Sequence, residues 1–250
     1  MDGTRGIEPG ADLAGAVRQG VSDEAARMRF IVAAMALVAG SNTVGALTHA
    51  GPRFALYSTL FTFAVMVGWT AWRRDPVLAR WLLLGFVAGW LEIATDAWLV
   101  AQTRTLVYPT GEPMVWDSPL YMPFAWTLVL AQLGVVGGWL AQRMSLAKAT
   151  LACALLGGSM IPLYEHLADH AGYWYYVDTP MVWNAPLYII LSEFLLSLPL
   201  VWMHGVALAR PWRFSALLGL VAGLWMIPSV MLAWWLVGPC RAGWTFFGCT

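Results

Sequence analysis

The chain has 250 residues, of which 60% are hydrophobic and 11% are charged, and its formal net charge is zero. Soluble domains are about 25% charged and roughly 45–50% apolar, so this composition argues against a water-soluble protein and favours a bilayer as its solvent. The basic residues are confined to short loops, which excludes nucleic acid as a partner. Three cysteines do not make the framework of a disulfide-rich domain.

Residues 1–28 are polar, of mixed charge and rich in Gly and Ala. They contain no apolar core region of the kind found in signal peptides, so we expect a short, partly disordered or surface-lying tail. Residues 29–250 are predicted to form a single integral membrane domain.

Seven apolar runs follow the tail. Each holds about 20 residues or more, which is enough to cross ~30 Å of hydrocarbon as a helix. A helix satisfies its own backbone hydrogen bonds, so the predicted fold class is all-α, a seven-transmembrane-helix bundle. The predicted spans are 30–50, 54–72, 79–101, 119–142, 147–167, 183–209 and 212–238.

The basic residues are distributed unevenly between the two ends of the spans. Eleven of the fourteen Lys and Arg residues lie in the tail and in the loops after spans two, four and six. By the positive-inside rule, the N-terminus is predicted to be cytoplasmic and the C-terminus outside, in a multi-pass protein of the bacterial inner membrane. Cys240 and Cys249 would then face the outer compartment, either paired or as free thiols.

One string of residues occurs twice: residues 113–121 read PMVWDSPLY and residues 180–188 read PMVWNAPLY. A Glu-x-x-x-Asp pair precedes each copy, with Glu92 and Asp96 ending span three and Glu165 and Asp169 ending span five. Spans three–four and five–six are therefore interpreted as a parallel internal repeat, related by an axis along the membrane normal.

The repeated strings have two compatible interpretations. Pro119 and Pro186 are predicted in the first turn of spans four and six, where a missing N–H costs little. Asp117 and Asn184 would then lie near the N-cap, where both residue types accept backbone N–H bonds. Alternatively, the strings line the mouth of a cavity.

Carboxylates inside a membrane are costly and indicate function by default. An i, i+4 pair lies on one helix face, and we expect the two faces to meet at a shared cavity. Snorkelling of the two aspartates into interface water is the alternative, and Glu193 is either a deep catalytic group or a hydrogen-bonded helix linker. The predicted catalytic residues are Glu92, Asp96, Glu165, Asp169, Asp117 and Glu193.

Aromatic and amide residues surround these carboxylates in the sequence. Their rings could stabilise a cationic intermediate through cation–π attraction, or they could belong to an outer aromatic belt. The predicted substrate-binding residues are Trp90, Trp116, Tyr121, Tyr164, Trp174, Tyr176, Trp183, Asn184 and Tyr188.

No metal or cofactor is predicted. His166 and His170 interleave with Glu165 and Asp169, and His49 ends span one on the same side. Two His and a carboxylate can bind a non-haem metal. However, the Glu and His pairs point roughly 100° apart on the helix. The sequence contains no Walker A loop, no G-x-S-x-G and no C-x-x-C.

The segments YPTGEPMVWDSPLYMPFAW and DHAGYWYYVDTPMVWNAPLYIILSEF resemble the carotenoid hydratase family of polytopic membrane proteins, over about residues 90–195. Size, seven spans and sparse intramembrane carboxylates give a looser likeness to membrane-bound terpene cyclases and to small-subunit-type lycopene cyclases. The resemblance implies a membrane enzyme that hydrates or cyclises a hydrophobic isoprenoid, terpenoid or carotenoid after protonating a double bond. A proton-coupled transporter and a non-catalytic membrane assembly partner are the alternatives.

Overall fold

The computed structural model describes residues 9–238. Within this range, seven helical spans are long and apolar enough to cross a membrane, which makes the chain a multi-pass membrane protein. The all-α bundle predicted from the hydropathy pattern is confirmed. The spans are Ser22–Thr48, Pro52–Arg73, Pro76–Thr103, Met122–Ala141, Leu146–Ala171, Leu187–Ala209 and Arg213–Val237.

Eight α-helices build these spans in the described range. The first helix extends back to Pro9, so part of the predicted tail is helical, whereas residues 1–8, Cys240 and Cys249 lie outside the described residues. Span six is interrupted near Pro199, which has no amide N–H to continue the helix. The helices are α1 (Pro9–Thr48), α2 (Pro52–Arg73), α3 (Pro76–Trp98), α4 (Met122–Ala141), α5 (Leu146–Ala171), α6 (Leu187–Ser197), α7 (Leu200–Ala209) and α8 (Arg213–Val237).

Six two-residue strands lie at one end of the bundle, called here the hairpin end. Strands β2 and β3 form a hairpin from the first repeated string, and β5 and β6 form one from the second. Strand β1 pairs antiparallel with β4, which joins the loop after α3 to the loop after α5. The strands are β1 (Leu106–Val107), β2 (Met114–Val115), β3 (Ser118–Pro119), β4 (Tyr175–Tyr176), β5 (Met181–Val182) and β6 (Ala185–Pro186).

The two hairpins share one register. Met114 pairs with Pro119 in the first hairpin, and Met181 pairs with Pro186 in the second. The first turn residue has a positive φ in both, 53° at Trp116 and 55° at Trp183, a conformation that bulky residues rarely adopt.

The predicted N-cap role of Asp117 and Asn184 is wrong. Both residues occupy hairpin turns, while α4 begins at Met122 and α6 at Leu187 without a side-chain cap. The physical reason is that each string folds back and satisfies its own backbone before the helix starts. The amide of Leu120, for example, donates to the carbonyl of Pro113 at 2.9 Å.

Helix α3 is the central element and packs closely against α4 through small residues. A Cβ atom added at Gly89 would lie 2.3 Å from the carbonyl oxygen of Pro123, and one added at Gly85 would lie 2.9 Å from backbone atoms of Thr127. Only glycine permits this approach, so these two residues allow the helices to pack closely.

Polar contacts join the helices at the end of the bundle opposite the hairpins. The indole N–H of Trp81 donates to Nδ1 of His204 at 2.9 Å, and Arg27 forms a partly buried ion pair with Asp75 at 2.7 Å. His204 is buried between helices.

Candidate functional site

A cavity of about 230 Å³ lies between the middle of the bundle and the hairpin end. Side chains from α1 to α6 and from α8 line it. A cavity of ~150 Å³ lined by apolar side chains is enough to bind benzene, so this space accommodates a larger apolar group than a single ring.

Four carboxyl groups line the cavity, and all four residues are buried. They come from three helices: α3, α5 and α6. No Lys, Arg or His side chain from residues 22–238 lines the same space. Carboxyl groups that line a cavity without a basic partner can donate or accept protons, and they attract cations. These residues are Glu92, Asp96, Glu165 and Glu193.

Asp96 is held by hydroxyl donors from the hairpin end. The hydroxyls of Tyr108 and Ser118 both donate to its Oδ2 at 2.6 Å. The carboxyl group of Glu92 lies one helical turn earlier. It is within hydrogen-bonding reach of the Asp96 carboxyl group and of the Trp126 side chain. Among the described residues, Oε2 of Glu92 has no hydrogen-bond partner. A single proton between the two carboxyl groups would remove their repulsion.

Glu165 and Glu193 face the cavity from the other side. The indole N–H of Trp174 donates to Oε2 of Glu165 at 2.5 Å, and the hydroxyl of Tyr176 donates to Oε1 at 3.4 Å. Glu193 has no side-chain hydrogen bond to the described residues, although Glu165 is a neighbour. Glu165 is thus a well-held acceptor, whereas Glu193 is free to bind a ligand.

Seven aromatic side chains also line the cavity. Their faces carry partial negative charge and attract cations, and their edges exclude water. The aromatic residues are Tyr108, Tyr121, Trp126, Tyr164, Tyr173, Trp174 and Tyr176.

The structure brings about half of the residues predicted from the sequence to this cavity. Those at the cavity are Glu92, Asp96, Glu165, Glu193, Tyr121, Tyr164, Trp174 and Tyr176. Those that do not line it are Asp117, Asp169, Trp90, Trp116, Trp183, Asn184 and Tyr188.

The predicted residues outside the cavity have other contacts. Asp169 accepts a hydrogen bond from the amide of Asn184, and Tyr188 shares a hydrogen bond with Thr105 at 2.8 Å. Trp116 is 73% exposed and Trp183 69%, which suits an aromatic belt at the membrane surface.

The histidines at the hairpin end bond to the backbone and to the second hairpin. Nδ1 of His49 donates to the carbonyl of His170 at 2.8 Å, and Nδ1 of His166 bonds to Oδ1 of Asn184 at 2.6 Å. In the described part of the chain, no three His, Cys, Asp or Glu residues are placed to hold a metal ion.

Several residues of the site were missed by sequence reasoning. Ser118, which bonds to Asp96, could have been noticed because the second string has Ala185 at its position. Tyr173 belongs to the aromatic run that precedes the second string, whereas Trp126 and Gln132 are ordinary members of an apolar helix and carried none.

Comparison with known proteins gives a family but no activity. Residues 93–237 match DUF6989, which is described as a domain of unknown function. No curated protein and no solved structure matches the chain. The matched segment contains Asp96, Glu165 and Glu193 and covers more than half of the 250 residues. The chain therefore belongs to the DUF6989 family.

Proposed function

We propose that this protein is an integral membrane enzyme that hydrates or cyclises an isoprenoid by protonating one of its double bonds. The observation that carries the proposal is the set of four buried carboxyl groups around one aromatic-lined cavity, to which no basic side chain of residues 22–238 contributes. Such a site can supply a proton, receive one back and stabilise the cation formed in between.

Glu92 is the proposed acid. Its O–H bond breaks as a C–H bond forms at one alkene carbon, and the neighbouring carbon becomes cationic. The pair holds two protons before this step and one after it, so the negative charge left behind is shared between Glu92 and Asp96, which Tyr108 and Ser118 already hold by hydrogen bonds. These fixed donors stabilise the anion without rearrangement at the moment of proton transfer.

Glu165 is the proposed base. It accepts hydrogen bonds from Trp174 and Tyr176, which orient its carboxylate toward the cavity. It takes a proton either from a water molecule that adds to the cation or from a carbon next to it. Water addition gives a hydrated product, whereas ring closure followed by proton loss gives an isomer of the substrate.

The cavity size limits what part of the substrate reacts. A space of about 230 Å³ holds one end of an isoprenoid rather than a whole long polyene. Val129 on α4 lines the cavity and is also 36% exposed at the surface of the bundle. The rest of a long substrate would leave the cavity beside α4, directly into the bilayer.

We further propose that the two hairpin units are a parallel internal repeat and that the hairpin end faces outward. The shared hairpin register and the antiparallel pairing of β1 with β4 support the repeat. The equivalent residues Glu92 and Glu165 both face the cavity. The excess of basic residues at the opposite end supports a cytoplasmic N-terminus in a bacterial inner membrane.

A proton-coupled transporter is less well supported. Alternating access needs a route from the cavity to both sides of the membrane. Trp81, His204 and the Arg27–Asp75 ion pair close the end opposite the hairpins. Proton-coupled flux in liposomes that Glu92→Gln abolishes would favour the transporter over the enzyme.

The test is mass spectrometry of lipid extracts from cells with and without the protein. We expect a new species that differs from its precursor by one water for hydration, or an isomer for cyclisation. Glu92→Gln with Glu165→Gln should abolish it. Asp117→Asn is the matched control, because Asp117 is exposed and the second hairpin has Asn184 at that position. Unchanged product in the double variant would overturn the proposal.

A further inference from the structure

The base of the first hairpin brings Glu112 close to Tyr121. Met114 pairs with Pro119, and the amide of Leu120 bonds to the carbonyl of Pro113, so Glu112 and Tyr121 are the residues that flank this last bond. Glu112 lies in a bend, Tyr121 directly precedes α4, and the charge of Glu112 acts on the hydroxyl of Tyr121.

The second hairpin provides an internal comparison. Its equivalent pair is Thr179 and Tyr188, and both side chains have partners. The hydroxyl of Thr179 donates to the carbonyl of Gly238 at 2.9 Å, and that of Tyr188 bonds to Thr105 at 2.8 Å. In this copy the pair is fully hydrogen-bonded and has a structural role.

The first pair is different. Both carboxylate oxygens of Glu112 and the hydroxyl of Tyr121 are buried without a hydrogen-bond partner among the described residues. Buried polar atoms are rarely left unpaired, because each costs about 1–3 kcal/mol. The same backbone position is thus satisfied in one copy and unsatisfied in the other.

The unsatisfied pair connects the hairpin end with the cavity. Tyr121 lines the cavity together with Asp96, Glu165 and Tyr173. Glu112 is only half-buried and lies in the loop between β1 and β2, next to Gly111, whose carbonyl accepts from Arg53 at 3.1 Å. The pair therefore joins a partly exposed loop residue to a residue of the cavity wall.

We propose that Glu112 and Tyr121 form the proton entrance of the cavity, which recharges the buried carboxyl groups from the aqueous phase at the hairpin end. This inference rests on the proposed acid–base function of the cavity.

The proton balance is simple. Because no hydrogen bond joins the two side chains, Glu112 gives its proton to a bridging water, which passes a proton to the hydroxyl oxygen of Tyr121 while the hydroxyl proton of Tyr121 passes to water in the cavity and from there to a carboxylate. One proton enters, one carboxylate in the cavity is neutralised, and Glu112 is left ionised until water outside protonates it again.

The titration behaviour of the pair fits this role. Burial raises the pKa of Glu112 to about 7, so it exchanges its proton near neutral pH. Burial, with the charge of Glu112 nearby, raises the pKa of Tyr121, so the hydroxyl passes protons without holding a charge. The other groups that face Tyr121 are Asp96, Glu165 and Tyr173, and burial raises the pKa of Tyr173 to about 12. Arg53 bonds to the carbonyl of Gly111, next to Glu112.

The test is the rate at which the buried carboxyl groups exchange protons for deuterons. The protein in lipid nanodiscs is transferred to D2O, and the carbonyl stretch of the protonated carboxyl groups is followed by infrared spectroscopy. Glu112→Gln and Tyr121→Phe are each expected to slow the exchange by roughly tenfold or more, as loss of a positioned proton donor does. Asp117→Asn, an exposed carboxyl change in the same hairpin, should leave the rate unchanged.

The pH profile separates a proton entrance from a structural role. In the unmodified protein the exchange should slow as the pH rises through about 7, and in Glu112→Gln this dependence should disappear. Exchange at the unmodified rate in both variants would overturn the inference. If exchange slows in the variants but lipid extracts contain no product, the proton entrance is supported and the proposed function fails. If Glu92→Gln abolishes the product but Glu112→Gln exchanges at the normal rate, the proposed function is supported and the proton entrance fails.

Discussion

Ser118 and Ala185 occupy the same position in the two hairpins, and only Ser118 reaches a cavity carboxylate. Its hydroxyl donates to Asp96 at 2.6 Å, while Ala185 has no side-chain donor. The second hairpin shows that the fold accepts alanine here. The hydroxyl is therefore a feature of the site rather than of the hairpin.

We expect Ser118→Ala to lower product formation by roughly tenfold. A hydrogen bond to a charged group is worth ~1.5 kcal/mol or more, which corresponds to about that factor. The rate of product appearance in lipid extracts measures it. Ser159→Ala, which removes an exposed hydroxyl from α5, is the control and should have no effect. An unchanged rate in Ser118→Ala would show that Asp96 does not need this donor.

The stability of the protein should also depend on the protonation of Glu112. Burial raises its pKa from 4.5 to about 7, so the folded protein binds an extra proton between these values. The resulting stabilisation is fully present below pH 4.5 and is lost as the pH rises through about 7.

Thermal unfolding in nanodiscs at several pH values measures this effect. Glu112→Gln carries no titrating group at that position, so its advantage over the unmodified protein should grow between pH 5 and pH 8. A constant difference between the two proteins across this range would contradict the prediction.

At the scale of elements, the repeated strings were recognisable in the sequence, but their structure was not. Pro119 and Pro186 in front of apolar runs indicated helix starts. The strings instead close as hairpins, because pairing between residues such as Met114 and Pro119 satisfies the backbone locally. The positive φ at Trp116 could not be foreseen, since tryptophan is a poor residue for that conformation.

The loop between Asp96 and the first string is longer than the loop between Asp169 and the second string, and this difference has a structural explanation. A five-residue π-helical turn, Leu99–Thr103, continues α3 and accounts for most of the extra length over the second copy. Such turns occur often at functional sites, and Leu99 lines the cavity.

The close packing of α3 against α4 can be tested by adding a single methyl group. Gly89→Ala should destabilise the protein by about 1–3 kcal/mol, because its Cβ would meet the backbone of Pro123. Thermal unfolding in detergent measures the change. Gly68→Ala is the matched control, since no atom lies within 4 Å of a Cβ there. Its stability should stay the same or rise slightly, and equal loss in both variants would contradict the packing argument.

At the scale of the molecule, hydropathy predicted the seven spans because crossing a bilayer requires long apolar helices whatever their neighbours are. The i, i+4 spacing of Glu92 and Asp96 placed both on the face that lines the cavity. Asp169 has the same spacing to Glu165 but bonds to Asn184 outside the cavity. That difference depends on how the second hairpin packs against α5, and this packing cannot be read from a local sequence pattern.

The proposed orientation predicts which loops face outward. Thr110→Cys at the hairpin end and Ser145→Cys at the opposite end are both exposed positions. In a background with Cys240→Ser and Cys249→Ser, and with Cys153 buried, an impermeant thiol reagent should label residue 110 on intact cells. Residue 145 should be labelled only after permeabilisation. The opposite pattern would reverse the topology.

The pairing of β1 with β4 has a mechanical consequence. It links the loops that lead into the two hairpins. In the second hairpin unit, Thr179 and Tyr188 are held by hydrogen bonds, whereas in the first the side chains of Glu112 and Tyr121 have none among the described residues. If the hairpin end opens above the cavity, we therefore expect the first hairpin to move while the second stays in place. Duplication of the unit allows one copy to be rigid and the other to be mobile.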